Sequence, residues 1–244
     1  MAGEFVREEL LLGEEAMDRL GKARVAVFGI GGVGSWAAEG LARGGVGELH
    51  LFDSDTVALS NINRQAPALH STLGRPKAEV MRERILDINP AAKTEVFQVF
   101  YLPENADCYD LSIYDYIVDA IDTVTAKIEL ILRAQRAGVP ILSSMGTGNK
   151  LHPELLRIGD LYETSVCPLA KVMRRELRRR GVESLRVLHS AEEPVKHCAP
   201  LPEEEKGGRR GTPGSVSFVP PVGGLMIAGE VIRTLARTRE RKNM

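Results

Sequence analysis

Cysteine is scarce. The 244 residues hold three, Cys108, Cys167 and Cys198, and no two of them stand at C-x-x-C spacing. That excludes a zinc ribbon, a dithiol redox motif and a disulfide framework, and a reducing cytoplasm is the expected setting. Neither sign of charge is in excess: 32 Lys and Arg against 33 Asp and Glu leave a net charge of −1. Contact with a nucleic acid would therefore depend on a local basic patch rather than on a global field. Long hydrophobic runs are missing too. The charge-free stretch Gly214 to Gly229 contains two prolines and several glycines, and a membrane span needs about 20 apolar residues. No span is expected, and a buried or dimer-contacting helix is the better reading. The N-terminal MAGEFVREELLLGEEAMDRLGKA scatters acids among its apolar residues and does not read as a signal peptide. No repeats occur.

What the chain does have is a nucleotide-binding fingerprint at Arg24 to Arg64. An apolar run, Val25 to Ile30, leads into Gly29-Ile30-Gly31-Gly32-Val33-Gly34. A small-residue helical pattern follows over Ser35 to Arg43, and a second apolar run, Leu49 to Phe52, ends at Asp53. Strand, glycine turn, helix, strand and acid in that order make a βαβ unit built to hold a nucleotide. The glycines let the backbone approach phosphate, and the helix N-terminus offers free N–H groups and the positive end of its dipole. Asp53 stands 19 residues beyond Gly34, where an acid takes the ribose hydroxyls.

Alternation continues along the chain. The spacing predicts a helical lead-in over 1–22, a helix over 78–88, strands over 94–100 and 114–121, a helix over 124–137 and a strand over 141–144. Such alternation gives an α/β, Rossmann-like, doubly wound and mostly parallel sheet. Beyond Gly148 the pattern changes. Short strands are expected at 155–158, 185–189 and 215–219, a helix at 165–180, and a last apolar helix from Pro220 to Leu235. The segment 196–214, rich in Pro, Gly and charge, is expected to be a mobile loop. The whole of 1–244 reads as one domain, with an ATP-binding core over 1–148 and a C-terminal extension for substrate and dimerisation over 149–244.

The polar residues after Asp53 suit a triphosphate better than a dinucleotide. Arg64 and Lys77 supply positive charge, and Asn61 is able to orient a phosphate or the ribose. Lys77 stands in the first turn of its helix, where the dipole disfavours a cation unless an anionic partner is near. Asp122, at the carboxyl end of a parallel strand, suits Mg²⁺, which prefers carboxylate, water and phosphate oxygens. The set fits nucleotidyl transfer, with a carboxylate attacking the α-phosphate.

At this point the residues resemble a family. GxGGVG, LFDxD, SNINRQ, GRPKAEVM, INP and DAID are together similar to the ubiquitin-activating, ThiF and MoeB superfamily of ATP-dependent carboxylate adenylators. The resemblance implies contact with ATP or Mg²⁺ by the positions matching Gly29, Gly31, Gly32, Asp53, Asn61, Arg64, Lys77 and Asp122. It also implies that Arg7 reaches the ATP site of a partner subunit in a homodimer; taken alone, Arg7 reads as a solvated surface charge. The second half, SVCPLAKVMRRELRRRGV and SVSFVPPVGGLMIAGEVI, resembles the tRNA threonylcarbamoyladenosine dehydratases. That implies ATP-dependent cyclisation of the threonylcarbamoyl side chain on an anticodon-loop adenosine, with sulfur-relay proteins of a cysteine desulfurase system as further partners. The alternative, adenylation of a sulfur-carrier protein's C-terminus, usually goes with paired C-x-x-C zinc ligands that this chain lacks.

Several features have a functional and a plain structural reading. Lys171, Arg174, Arg175 and Arg178 share one face of the expected 165–180 helix; that face either meets tRNA phosphates or is merely solvated. Cys167, beside Pro168 at a helix start, is a thiol of lowered pKa or, more commonly, a buried structural residue. His189 and His197 have no metal-ligand neighbour in the sequence.

Overall fold

The computed structural model describes residues 3–199 and 213–237. The expected lead-in helix is two helices, α1 (Val6–Leu12) and α2 (Glu14–Lys22), separated at Gly13. α1 buries none of its residues, whereas α2 sets Ala16, Met17 and Leu20 into the core. There follow β1 (Arg24–Phe28), α3 (Gly34–Arg43), β2 (Glu48–Phe52), α4 (Lys77–Ile88), β3 (Lys93–Phe97), β4 (Tyr116–Asp119), α5 (Val124–Arg136) and β5 (Ile141–Ser144). The C-terminal part adds β6 (Leu156–Asp160), α6 (Pro168–Arg178), β7 (Arg186–Ser190) and α7 (Val219–Ala236).

The strands form one sheet in the order β3-β2-β1-β4-β5-β7-β6. All neighbouring pairs are parallel except β6 with β7. β4 and β5 are buried along their whole length, and β1 from Val25 onward. Their near-continuous apolar runs follow from having both faces covered. One face carries α2, α3, α4 and α7; the other carries α5 and α6. The direction of winding reverses between β1 and β4, and such a switch point leaves a crevice at the carboxyl ends of the strands.

Helix α7 accounts for the apolar C-terminal sequence. By length and composition it would pass for a membrane span, but its apolar side is spent inside this chain. Val219, Ile227, Ala228 and Val231 are buried in the same cluster as Ala37, Leu41 and Ala42 of α3. The two helices meet through small residues: a Cβ on Gly40 would stand 2.6 Å from Cβ of Ala228, so only glycine permits this approach.

The strand expected at 215–219 does not form. Residues 213–218 are irregular, and α7 starts at Val219. Pro220 and Pro221 pre-set φ for a first helical turn, and the sheet edges already carry β3 and β6. The segment instead crosses the mouth of the crevice, where Asn63 Nδ2 donates to Ser215 O at 2.9 Å and Asn149 N donates to Gly214 O at 2.7 Å. β3 stops at Phe97, short of 100, and α6 begins at Pro168 rather than 165. Most of the loop expected to be mobile, 200–212, lies outside the described residues.

Candidate active site

The crevice at the switch point is a cleft of about 540 Å³, within the usual range for a small-molecule site. Gly29, Gly31, Gly32 and Asp53 line one side of it, and Asn61, Arg64, Lys77 and Asp122 also face it. All eight positions marked in the sequence thus converge. Arg7 does not join them: it is exposed on α1 and absent from the lining.

The glycine turn is held from below. Gly29 has φ 87°, a conformation open to glycine at little cost, and a Cβ there would meet Ala120 O at 2.7 Å. Its N–H donates to Phe52 O at 2.8 Å. α3 starts at Gly34 without a side-chain cap, and Ser35 N donates back into the turn, to Gly31 O at 3.1 Å; an uncapped helix start of this kind suits an anion. Asp53 ties the turn to the second strand: Ile30 N donates to Oδ2 at 2.6 Å and Asp55 N to Oδ1 at 2.8 Å. Burial pushes the Asp53 carboxyl above its ordinary range, although these N–H bonds and the nearby Lys77 charge pull it down.

Lys77 is the first residue of α4, after Pro76. Its Nζ donates to Asp55 Oδ2 at 2.7 Å, and its backbone N donates to Asp55 O at 3.0 Å. The Lys77 side chain is 6% exposed and that of Asp55 62%. The cation is thus held against the cleft wall by an acid that itself stays in water. Asn61 is buried and spends Oδ1 on Ala58 N at 3.1 Å. Arg64 lies half-buried across the cleft, with Nη1 donating to Ser60 O at 2.8 Å and to Asn63 Oδ1 at 2.9 Å. Asp122 follows β4 and is exposed.

Asp55 and Gln65 also line the cleft and were not singled out in the sequence. Asp55 is the second acid of the Asp53-Ser54-Asp55 motif, so its signal was present. Gln65 follows Arg64; it is buried, and its Oε1 has no hydrogen-bond partner among the described residues.

Cys167 is 1% exposed and precedes Pro168 at the start of α6. That is the buried structural reading. His189 is half-buried, and burial pushes its imidazole down. His197 is exposed, with Nε2 3.0 Å from Asn149 Oδ1. Among the described residues no group of three or more His, Cys, Asp and Glu is arranged to hold a metal ion.

A second concavity, on α6, is lined by Lys171, Arg174, Arg175, Arg178 and Arg179 alone. The shared basic face is therefore real and gains Arg179. Its members are not equally available. Arg174 is half-buried and donates to Thr164 O at 2.8 Å, and Arg178 lies 4.9 Å from the centre of the Tyr162 ring. Lys171, Arg175, Arg178 and Arg179 are exposed, and Arg175 and Arg179 pair with Glu176.

Comparison with known proteins gives a consistent picture. A model of the ThiF family matches residues 6–244. The chain is 39% identical over 251 residues to the tRNA threonylcarbamoyladenosine dehydratase of Bacillus subtilis, covering 100% of this chain and 99% of that one. It is 36% identical to the Escherichia coli molybdopterin-synthase adenylyltransferase, but over only 53% of this chain and 51% of that one. Among solved structures, E. coli tRNA N6-threonylcarbamoyladenosine dehydratase, TcdA, in complex with ATP matches with a TM-score of 0.84 at 34% identity, over 95% of this chain and 93% of that one.

Proposed function

This chain belongs to the ThiF family, and we propose that it is an ATP-dependent enzyme that cyclises N6-threonylcarbamoyladenosine in the tRNA anticodon loop through carboxylate adenylation. The convergence of all eight phosphate- and ribose-directed positions on one cleft carries the adenylation reading. The end-to-end similarity to the B. subtilis dehydratase supports the tRNA substrate.

In this reading the glycine turn and the uncapped start of α3 receive phosphate oxygens, and Asp53 accepts from the ribose hydroxyls. The substrate carboxylate attacks the α-phosphorus, the bond to the bridging oxygen breaks, and pyrophosphate leaves. Lys77 and Arg64 oppose the negative charge that develops on the transferring group and the leaving oxygen. A nitrogen of the same threonylcarbamoyl group then attacks the activated carbonyl, and AMP leaves with the former carboxylate oxygen. The net change is loss of water.

The donors fit Mg²⁺ as a companion of ATP: two exposed carboxylates line the cleft, Asp55, already paired with Lys77, and Asp122, and there is no all-protein cage among the described residues. Mg²⁺ commonly keeps its waters and binds through one or two carboxylates plus phosphates. When bound it neutralises phosphate charge; Asp122 would hold it. Arg7 acts from a partner subunit of a closed two-fold dimer, which accounts for its distance from the cleft of its own chain. Exposed Leu10 and Leu11 on the same helix suit such a contact. The α6 face receives tRNA phosphates. The chain works as one adenylating unit, with β6, β7 and α7 of the C-terminal part built into the sheet and its packing.

The test is mass spectrometry of nucleosides from threonylcarbamoyladenosine-containing tRNA after incubation with the protein and ATP. A product lighter by one water, formed with AMP and pyrophosphate, is expected. No such product, together with pyrophosphate exchange that depends on a Gly-Gly-ended carrier protein, would refute the tRNA reading in favour of carrier adenylation.

A further inference from the structure

A second lysine–aspartate pair lies directly beneath the cleft. Asp119 is the last residue of β4, and Lys127 closes the first turn of α5. Both side chains are 0% exposed, and Lys127 Nζ stands 2.9 Å from Asp119 Oδ2. The same Nζ donates to Ile121 O at 3.0 Å, while Ile121 N donates to Asp119 Oδ1 at 3.2 Å. Ser143 of β5 donates to Asp119 Oδ2 at 2.6 Å. One residue earlier, Ala120 N donates to Phe28 O at 2.8 Å, and Ala120 O closes over Gly29.

Both backbone polar groups of Ile121 are therefore held by one buried ion pair, and the next residue is Asp122. A fully buried pair is a weak source of stability, since desolvation offsets most of its attraction and apolar replacements of similar volume are often neutral. What it supplies here is geometry. Ala120 N and both backbone groups of Ile121 are hydrogen-bonded, so the Asp122 carboxylate projects from a held backbone.

We propose that Asp119 and Lys127 are positioning residues that set the Asp122 carboxylate for the cation accompanying ATP. The inference rests on the reading that Asp122 faces that cation.

The test measures binding rather than turnover. The affinity of the full-length protein for α,β-methylene-ATP is determined by calorimetry with Mg²⁺ and with chelator, and the ratio of the two is the Mg²⁺ coupling. Asp122→Asn is expected to lower this ratio by about fivefold or more, within the usual span of such couplings. The double variant Asp119→Asn/Lys127→Met keeps volume, leaves no unpaired buried charge and should lower it to a similar extent. Adding Asp122→Asn to the double variant should lower it no further, because residues acting through one group are not additive. Melting temperatures report folding alongside. If Asp122→Asn leaves the ratio unchanged, the reading of Asp122 fails and the proposal with it. If Asp122→Asn lowers it while the folded double variant keeps the parent ratio, the positioning role alone is overturned. Should the double variant not fold, Ser143→Ala decides. It withdraws one bond from Asp119 with both charges intact; a reduced ratio supports the proposal and the parent ratio overturns it.

Discussion

Lys77→Met separates catalysis from stability more cleanly than any other change at the cleft. The Lys77 side chain is 6% exposed and its partner Asp55 is 62% exposed. Removing the ammonium leaves Asp55 facing water, so no buried charge is orphaned. Methionine keeps the unbranched stem and most of the volume. A pair with one exposed partner is worth about 0–1 kcal/mol, and the relief of lysine desolvation acts in the opposite direction. For a chain of this length 1 kcal/mol moves the melting temperature by about 2–4 °C, so the variant should melt within that interval of the parent. Adenylation is another matter. A preorganised donor aimed at charge developing in the transition state contributes roughly 10²–10³ in rate, about 2.7–4 kcal/mol. Single-turnover release of AMP from ATP and threonylcarbamoyladenosine-containing tRNA should fall by that factor, with thermal melting as the companion measurement. A folded variant within about tenfold of the parent rate would refute the role given to Lys77. A melting temperature lowered far beyond the interval would show that the pair with Asp55 holds the fold together.

On the basic face, Lys171→Glu with Arg175→Glu should weaken tRNA binding and flatten its salt dependence by about 0.7–0.9 in log–log slope for each phosphate no longer neutralised, with ATP affinity unchanged; an unaltered slope would leave α6 a solvated face. Cys167→Ala should cyclise tRNA at the parent rate, since ring closure needs no enzyme thioester, and a trapped thioester on the parent would contradict this. Arg7→Ala and Lys77→Ala proteins, each nearly inactive, should recover about a quarter of parent activity after subunit exchange into two-fold dimers; demonstrated exchange without recovery would remove Arg7 from the partner's site. Glu39 of α3 tests the electrostatics of the fold. Its burial pushes the carboxyl up, but bonds from Arg84 and Arg43 outweigh burial and leave it net lowered. A carboxyl whose folded pKa is depressed stabilises above the unfolded value of about 4.3, and this is lost as pH falls through the folded value. Glu39→Gln should therefore destabilise in urea melts at pH 7, and the gap from the parent should close toward low pH; a gap constant with pH would contradict the linkage.

The fold was legible where local pattern and tertiary role agree. Gly29 to Gly34, between two apolar runs, gave a turn that only glycine can make beside Ala120, and β5 was bounded correctly because Pro140 and Met145-Gly146 flank a run buried on both sides. The convergence of the candidate site residues was legible because Asp53 and Asp122 follow strand ends, and Asn61, Arg64 and Lys77 lie on the loop and helix start that follow β2, all on the crevice side of the sheet. Residues 215–219 were misread because alternation in a five-residue window does not reveal whether a sheet has a place for another strand. Gln65 was passed over because a buried amide leaves no mark in composition. The Asp119–Lys127 pair was invisible for a stronger reason: charged side chains are almost never fully buried, so a sequence reading assigns both to the surface.

Those last residues bear on how a lysine near a nucleotide site should be read. Lys77 and Lys127 occupy equivalent places, each in the first turn of a helix that follows a loop beyond a strand end, and each is paired with an aspartate at under 3 Å. Helix position and pairing distance therefore do not distinguish them. Exposure of the partner does. Asp55 stays in water, lines the cleft and gives up little when a phosphate draws on Lys77. Asp119 is sealed, has Ser143 and Ile121 as further partners, and would be left as a buried charge if Lys127 turned toward a ligand. The first lysine is thus free in energetic terms to meet a substrate, and the second is committed to the backbone that carries Asp122. The two substitutions should behave accordingly. Lys77→Met alone is tolerated by the fold, whereas Lys127→Met alone strands the Asp119 charge and should cost roughly 3–5 kcal/mol, most of it recovered when Asp119→Asn is added. Urea melts of the two single variants and the double variant measure this directly, and equal destabilisation by Lys77→Met and Lys127→Met would contradict the distinction.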